Sequence, residues 1–89
     1  MRRIIWSLSA VDDLRNIRDY IGQFNPSAAA GFAARLVAAA DSLADFSERG
    51  RPMEGRRREL LVDWPYIIRY RIETERVIIL RVRHGAQRQ

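Results

Sequence analysis

"ELLVDWPYIIRYRIETERVIILRVRHG", residues 59–85, decides the fold. It holds three β-branched and aromatic runs, at residues 59–63, 66–73 and 76–84, each of strand length and bounded by turn residues. Trp64 and Pro65 turn the first run into the second, and Thr74 and Glu75 lie between the second and the third. Side chains alternate across a strand, so Ile68, Tyr70 and Ile72 share one face, as do Ile78, Leu80 and Val82. If both sets face one core, paired residue numbers must share parity. A two-residue turn would set Ile72 against Val77 and break that rule. A three-residue loop at 74–76 pairs Ile72 with Ile78, Tyr70 with Leu80 and Ile68 with Val82, and this register is the expectation. The other face then carries Ile67, Arg69 and Arg71 beside Ile79, Arg81 and Arg83, with Arg69 directly opposite Arg81. Like charges so placed destabilise a sheet. The face reads either as a solvated surface, its arginine stems covering Ile67 and Ile79, or as a docking surface for an anionic partner.

Upstream, "RRIIW" (residues 2–6) is a first strand. Ser7 or Ser9 then caps a helix, with Asp12 and Asp13 in its first turn and otherwise solvated. Leu14, Ile17, Ile21 and Phe24 form its apolar stripe, and Tyr20 lies at the core edge. Asn25 and Pro26 open a second helix, on which Ala29, Ala33, Leu36, Ala40 and Leu43 share a face. The short link makes the two helices an antiparallel hairpin. Residues 48–59 form a loop punctuated by Gly50, Pro52 and Gly55. Trp6 and Trp64 read as packing residues. The expected core joins Leu14, Ile17, Ile21, Leu36 and Leu43 to Tyr70, Ile72, Ile78 and Leu80.

Eighty-nine residues make a single domain, 1–89, with a thin core. Cysteine is absent, which excludes a disulfide framework and suits a reducing cytoplasm. No apolar run reaches the ~20 residues of a membrane span. The net charge of +5 is uneven: residues 1–48 hold five arginines against six acids, residues 49–89 eleven against five. The basic half expects a polyanion or an acidic partner. All 16 basic residues are arginine, through codon bias or through a need for bidentate contacts to phosphate and carboxylate. A lone histidine and unclustered acids point to no metal site. The loop "RGRPMEG" has the glycines of a phosphate cradle without the spacing of a known phosphate motif.

"WSLSAVDDLRNIRDYI" resembles the first helix of the RelE/ParE toxin superfamily, W-S-x-x-A-x-x-D-L-x-x-I-x-x-Y-I. "NPSAAAGFAARLVAAADSLADFSERGRPMEG" resembles its second helix and the loop that follows. The opening stretch is similar to its hairpin, ending in R-V-x-H-G. The likeness spans residues 4–85, and the order of the words carries it more than any one of them. It implies an α+β fold of order β-α-α-β-β-β, an antiparallel three- to four-stranded sheet with an N-terminal helical hairpin on one face. It implies a toxin of a type II toxin–antitoxin system, neutralised by a cognate, ParD-like antitoxin, with no cofactor and no membrane.

The superfamily has two mechanisms, and fold does not separate them. The ParE branch inhibits DNA gyrase; the RelE branch cuts mRNA on the ribosome. Metal-independent cleavage needs a base, cations for the phosphorane and an acid for the leaving oxygen. Resemblance to the Glu/Arg/His subset of nucleases assigns these to Glu59 or Glu54, Arg69 and His84, but the tyrosine that subset carries after the histidine is replaced here by Gly85. The "RVxHG" ending instead resembles the ParE branch, where the basic tail with Arg88 follows. His84 is then a strand-end residue sharing a face with Val82 and Leu80, near Tyr66. On this reading Arg57, Arg58, Arg69, Arg71, Arg81, Arg83, Ile67 and Ile79 meet partners. A non-catalytic nucleic-acid-binding module is the remaining class.

Overall fold

A computed structural model describes residues 1–85. The chain runs β1 (Arg3–Trp6), α1 (Leu8–Gly22), α2 (Pro26–Ser42), β2 (Arg51–Pro52), β3 (Arg57–Asp63), β4 (Tyr66–Ile72) and β5 (Arg76–His84). Local chemistry sets both helix starts. The Ser7 hydroxyl accepts from the Ala10 N–H, and the Asn25 side chain accepts from the Ala28 N–H with Pro26 at the first helical position.

The sheet has five strands in the order β1-β5-β4-β3-β2 and is mixed. This corrects the expected three- to four-stranded antiparallel sheet. β1 lies parallel to β5 because the helical hairpin intervenes and carries the chain back over the sheet. β2, two residues inside the expected loop, pairs with β3 at Arg51–Glu59 and Pro52–Arg58.

The hairpin register is also corrected. Ile68 pairs with Val82 and Arg69 with Arg81, as expected, but Tyr70 then pairs with Ile79 and Ile72 with Val77. Leu80 is the extra residue of a β-bulge, and a bulge changes the parity of every pair beyond it. It falls where β1 leaves the sheet: the Ser7 hydroxyl donates to the Leu80 carbonyl at 3.0 Å and the Ser7 N–H to the Ile79 carbonyl at 3.0 Å. Val77 and Ile79 therefore point inward, level with Ile4 and Trp6 of β1. Ile78 lies on the opposite face between Ile5 and Arg71. Leu80 is not part of the core.

The core joins Phe32, Leu36, Ala40 and Leu43 of the second helix and its end to Leu60, Ile68, Tyr70, Val77, Ile79 and Val82 of the sheet, with Leu14, Ile17 and Ile21 packed against it. Beneath it, the Tyr70 hydroxyl donates to the Ser47 carbonyl at 2.7 Å and accepts from the Gly50 N–H at 2.9 Å. Gly50 is required there, since a Cβ would lie 2.7 Å from the Glu59 carbonyl oxygen. Three expected packing residues are on the surface instead: Tyr20 at 60% exposure, Trp64 at 74%, and Phe24, which lies past the end of α1 and outside its apolar stripe, at 74%. Among the described residues no helix is long and apolar enough to cross a membrane.

Candidate functional site

With both helices on one side, the other side of the sheet is the arginine face. Strand alternation places Arg57, Glu59 and Leu61 of β3 on it, beside Ile67, Arg69 and Arg71 of β4 and Ile78, Arg81 and Arg83 of β5.

Arg69 does stand opposite Arg81, but each has a carboxylate of its own. Arg69 donates from Nε and Nη2 to Glu59 Oε2 at 2.9 and 2.6 Å, while Arg51 approaches Oε1 at 3.2 Å. The Glu59 side chain is only 9% exposed. Arg81 grips Asp13 in bidentate fashion, Nε to Oδ2 at 2.7 Å and Nη2 to Oδ1 at 3.0 Å. The Val82 N–H donates to the same Oδ2 at 3.0 Å, so Asp13 caps the edge of β5 just past the end of β1. Burial acts to raise the Asp13 pKa. The hydrogen bonds from Arg81 and Val82, with the positive charges of Arg81 and Arg83, outweigh it and hold the carboxyl below its ordinary range. The Arg81 guanidinium is correspondingly pushed up. Asp13 is thus neither in the first turn of α1 nor solvated, as the sequence suggested.

The other expected partner-binding residues divide. Arg71 is bidentate to Glu73 Oε2 at 3.0 and 2.8 Å. Arg58 turns its Nη1 to the Gly50 and Glu48 carbonyls at 2.7 and 3.3 Å, which anchors the basic loop. Arg57 is exposed and donates to the Glu54 carbonyl at 3.3 Å. Arg83 makes no ion pair among the described residues. Ile67 is half-buried beside Leu61. Ile79 is fully buried in the core, which removes it from the surface set. The bulge at Leu80 is the cause.

His84 sits on the helix side. Its ring meets Tyr66 edge-on at 5.3 Å, and Tyr66 meets Phe32 in the same way at 4.9 Å. Its face and its neighbour Tyr66 are as expected, though Leu80 does not share that face. After it, the Gly85 N–H donates to the Pro65 carbonyl, and a Cβ on Gly85 would crowd that oxygen at 3.0 Å. The alternative catalytic set is therefore split. Glu59 and Arg69 are bonded on the arginine face, and His84 is on the opposite face. Arg88 lies outside the described residues. Among the described residues no group of three or more His, Cys, Asp or Glu could hold a metal.

A helical hairpin laid on one face of a five-stranded mixed sheet, with arginines lining the other face, defines an α+β architecture. Residues 4–89 match the family described as ParE toxin of type II toxin-antitoxin system, parDE, and the chain belongs to that family. It is 51% identical to Toxin RelE2 of Caulobacter vibrioides over 87 residues, covering 98% of this chain and 99% of the relative. It is 43% identical to Putative toxin Y4kP of Sinorhizobium fredii, covering 97% and 91%. Among solved structures it is similar to the chromosomal ParDE TA system from P. aeruginosa, with a TM-score of 0.82 and 26% identity over 94% of this chain and 96% of that one.

Proposed function

We propose that this toxin acts in the cytoplasm by inhibiting DNA gyrase, without catalysing a reaction, and that a cognate ParD-like antitoxin neutralises it by covering the arginine face. The separation of His84 from Glu59 and Arg69 carries the non-catalytic part. An acid and a base working on one phosphodiester must both reach it. Here the sheet stands between them, and the Glu59 carboxylate is already taken up by Arg51 and Arg69. The antitoxin part is supported by the face itself. Leu61, Ile67 and Arg83 form a mixed apolar and cationic surface at the β3–β4 end, of the kind an acidic, amphipathic segment covers.

The name Toxin RelE2, borne by a relative 51% identical, favours ribosomal mRNA cleavage as the second reading. One experiment separates the two. Purified toxin is added to a gyrase supercoiling reaction and to a translating-ribosome reaction. Inhibited supercoiling with intact mRNA is the expected result. Cut mRNA with normal supercoiling would establish the nuclease instead.

A further inference from the structure

At the β4–β5 turn the end of the sheet carries a groove of two adjoining compartments, about 300 and 540 Å³, which share Arg56, Glu73 and Thr74 as walls. The larger is lined by Arg71 of the arginine face, and the smaller reaches round the sheet end to Arg58 and Ile72. The sheet register concentrates charge here. Arg57 pairs directly with Arg71, and Arg3 directly with Arg76. Two like-charge pairs side by side are unfavourable in a sheet. In the middle of the face the comparable pair, Arg69 and Arg81, is relieved by two carboxylates, Glu59 and Asp13. At the groove a single carboxylate, Glu73, serves both Arg71 and Arg76, which together pull its pKa down. Arg3 and Arg56 have no carboxylate partner among the described residues. The second acid of the walls, Glu75, makes no ion pair among the described residues.

We infer that this groove binds neighbouring phosphate groups, with Arg3 and Arg56 as the principal ligands and Arg57, Arg71 and Arg76 supporting them. Guanidinium forks match phosphate oxygens two at a time, and the Thr74 hydroxyl at the shared wall adds a neutral donor. The phosphates could be supplied by a nucleic-acid strand or by a nucleoside polyphosphate. A strand is the better match, because the two compartments share Arg56, Glu73 and Thr74 as walls and each is lined by further arginines, so that successive phosphates can be met in turn. The basic loop acquires a purpose in this way. Arg58 anchors it to the sheet, and Gly55 takes a left-handed turn at φ 68° that carries Arg56 to the groove wall. The inference is independent of the gyrase reading, since it concerns direct binding by the isolated toxin.

The test measures fluorescence anisotropy of a short labelled single strand with the full-length chain across a range of salt. Inorganic pyrophosphate, ATP and poly-glutamate serve as competitors. Arg3→Gln combined with Arg56→Gln should weaken binding about tenfold and reduce the salt slope by about 1.4, as loss of two single-strand phosphate contacts requires. Neither arginine pairs with a carboxylate among the described residues, so melting should be unchanged. Arg18→Gln, on the exposed side of α1, should bind as the parent does. Pyrophosphate should displace the strand. Affinity that rises with strand length assigns the phosphates to nucleic acid, and tighter competition by ATP than by any strand assigns them to a nucleotide. Unchanged binding by the double variant would overturn the inference. So would displacement by poly-glutamate ahead of pyrophosphate, which would make the groove a seat for an acidic peptide.

Discussion

Arg69 and Arg81 face each other across β4 and β5, and each is held by a carboxylate from elsewhere in the chain, Glu59 for one and Asp13 for the other. The repulsion that a like-charge pair brings to a sheet is thereby converted into two ion pairs. The second of them ties α1 to the end of the sheet.

Asp13→Asn should therefore destabilise the fold by about 1–3 kcal/mol near neutral pH, by removing a charged acceptor for Arg81 and Val82. The folded pKa of Asp13 lies below its ordinary value. The unfolded chain thus takes up the proton first as pH falls. The contribution of this group is complete above the ordinary aspartate pKa of about 3.9 and is lost as pH drops through the folded value. Urea melts of both proteins should differ near neutrality and converge in acid. A gap that stays constant with pH would contradict the assignment.

The two arginine sets should separate in the laboratory. Arg69→Ala leaves a carboxylate that is 9% exposed with Arg51 as its one remaining ion-pair partner among the described residues, and should cost about 1–3 kcal/mol of stability. Arg83→Ala should shift melting far less than Arg69→Ala, since Arg83 makes no ion pair among the described residues and its charge is the smallest of the influences on Asp13. It should slow association with the antitoxin and flatten its salt dependence, as expected when an interface charge is lost. Surface plasmon resonance at two ionic strengths checks this, and an unchanged association rate for Arg83→Ala would move the antitoxin off this end of the face.

The bulge makes a prediction that runs against simple alternation. Ile79→Ala should cost about 2–5 kcal/mol as a core truncation. Ile78→Ala, on the arginine face, should cost about 1–2 kcal/mol by loss of covered apolar area. Chemical denaturation of the two variants gives the order directly; a larger loss for Ile78 would restore the uninterrupted register.

Tyr70→Phe should destabilise by about 1–3 kcal/mol, because it strips the Gly50 N–H and the Ser47 carbonyl of a buried partner. Tyr70 is pushed above its ordinary pKa by burial, so its hydroxyl stays protonated across the neutral range and keeps donating to Ser47. Gly50→Ala should be as harmful by overpacking, about 1–3 kcal/mol, since its Cβ meets the Glu59 carbonyl.

His84→Gln should cost about 0.5–1.5 kcal/mol through the lost edge-on contact with Tyr66, and growth inhibition on induction should persist. Abolished toxicity with an unaltered melt would return His84 to a catalytic role and make Glu59 and Arg69 the next residues to test.

The sequence alone determined what depends on neighbours within a turn or a strand. Ser7, Asn25 and Pro26 mark the helix starts because capping is a contact across three residues. The stripe of Leu14, Ile17 and Ile21 follows helical periodicity, and the runs that become β3, β4 and β5 follow strand propensity. The helix-side position of His84 was legible too, because counting from Val82 crosses no irregularity. Tertiary structure decided the rest. β1 is parallel to β5 because the two strands lie on opposite sides of a helical hairpin in the chain and can meet only after it packs. The bulge at Leu80 falls where Ser7 bonds to the Ile79 and Leu80 carbonyls at the end of β1, and no local pattern marks it. Its consequences, Ile79 on the helix side and Ile78 buried on the arginine face, were therefore misread from alternation. The pairing of Asp13 with Arg81 joins residues 68 positions apart. A carboxylate on a helix carries no sign of the arginine that will neutralise it until the helix has been laid on the sheet.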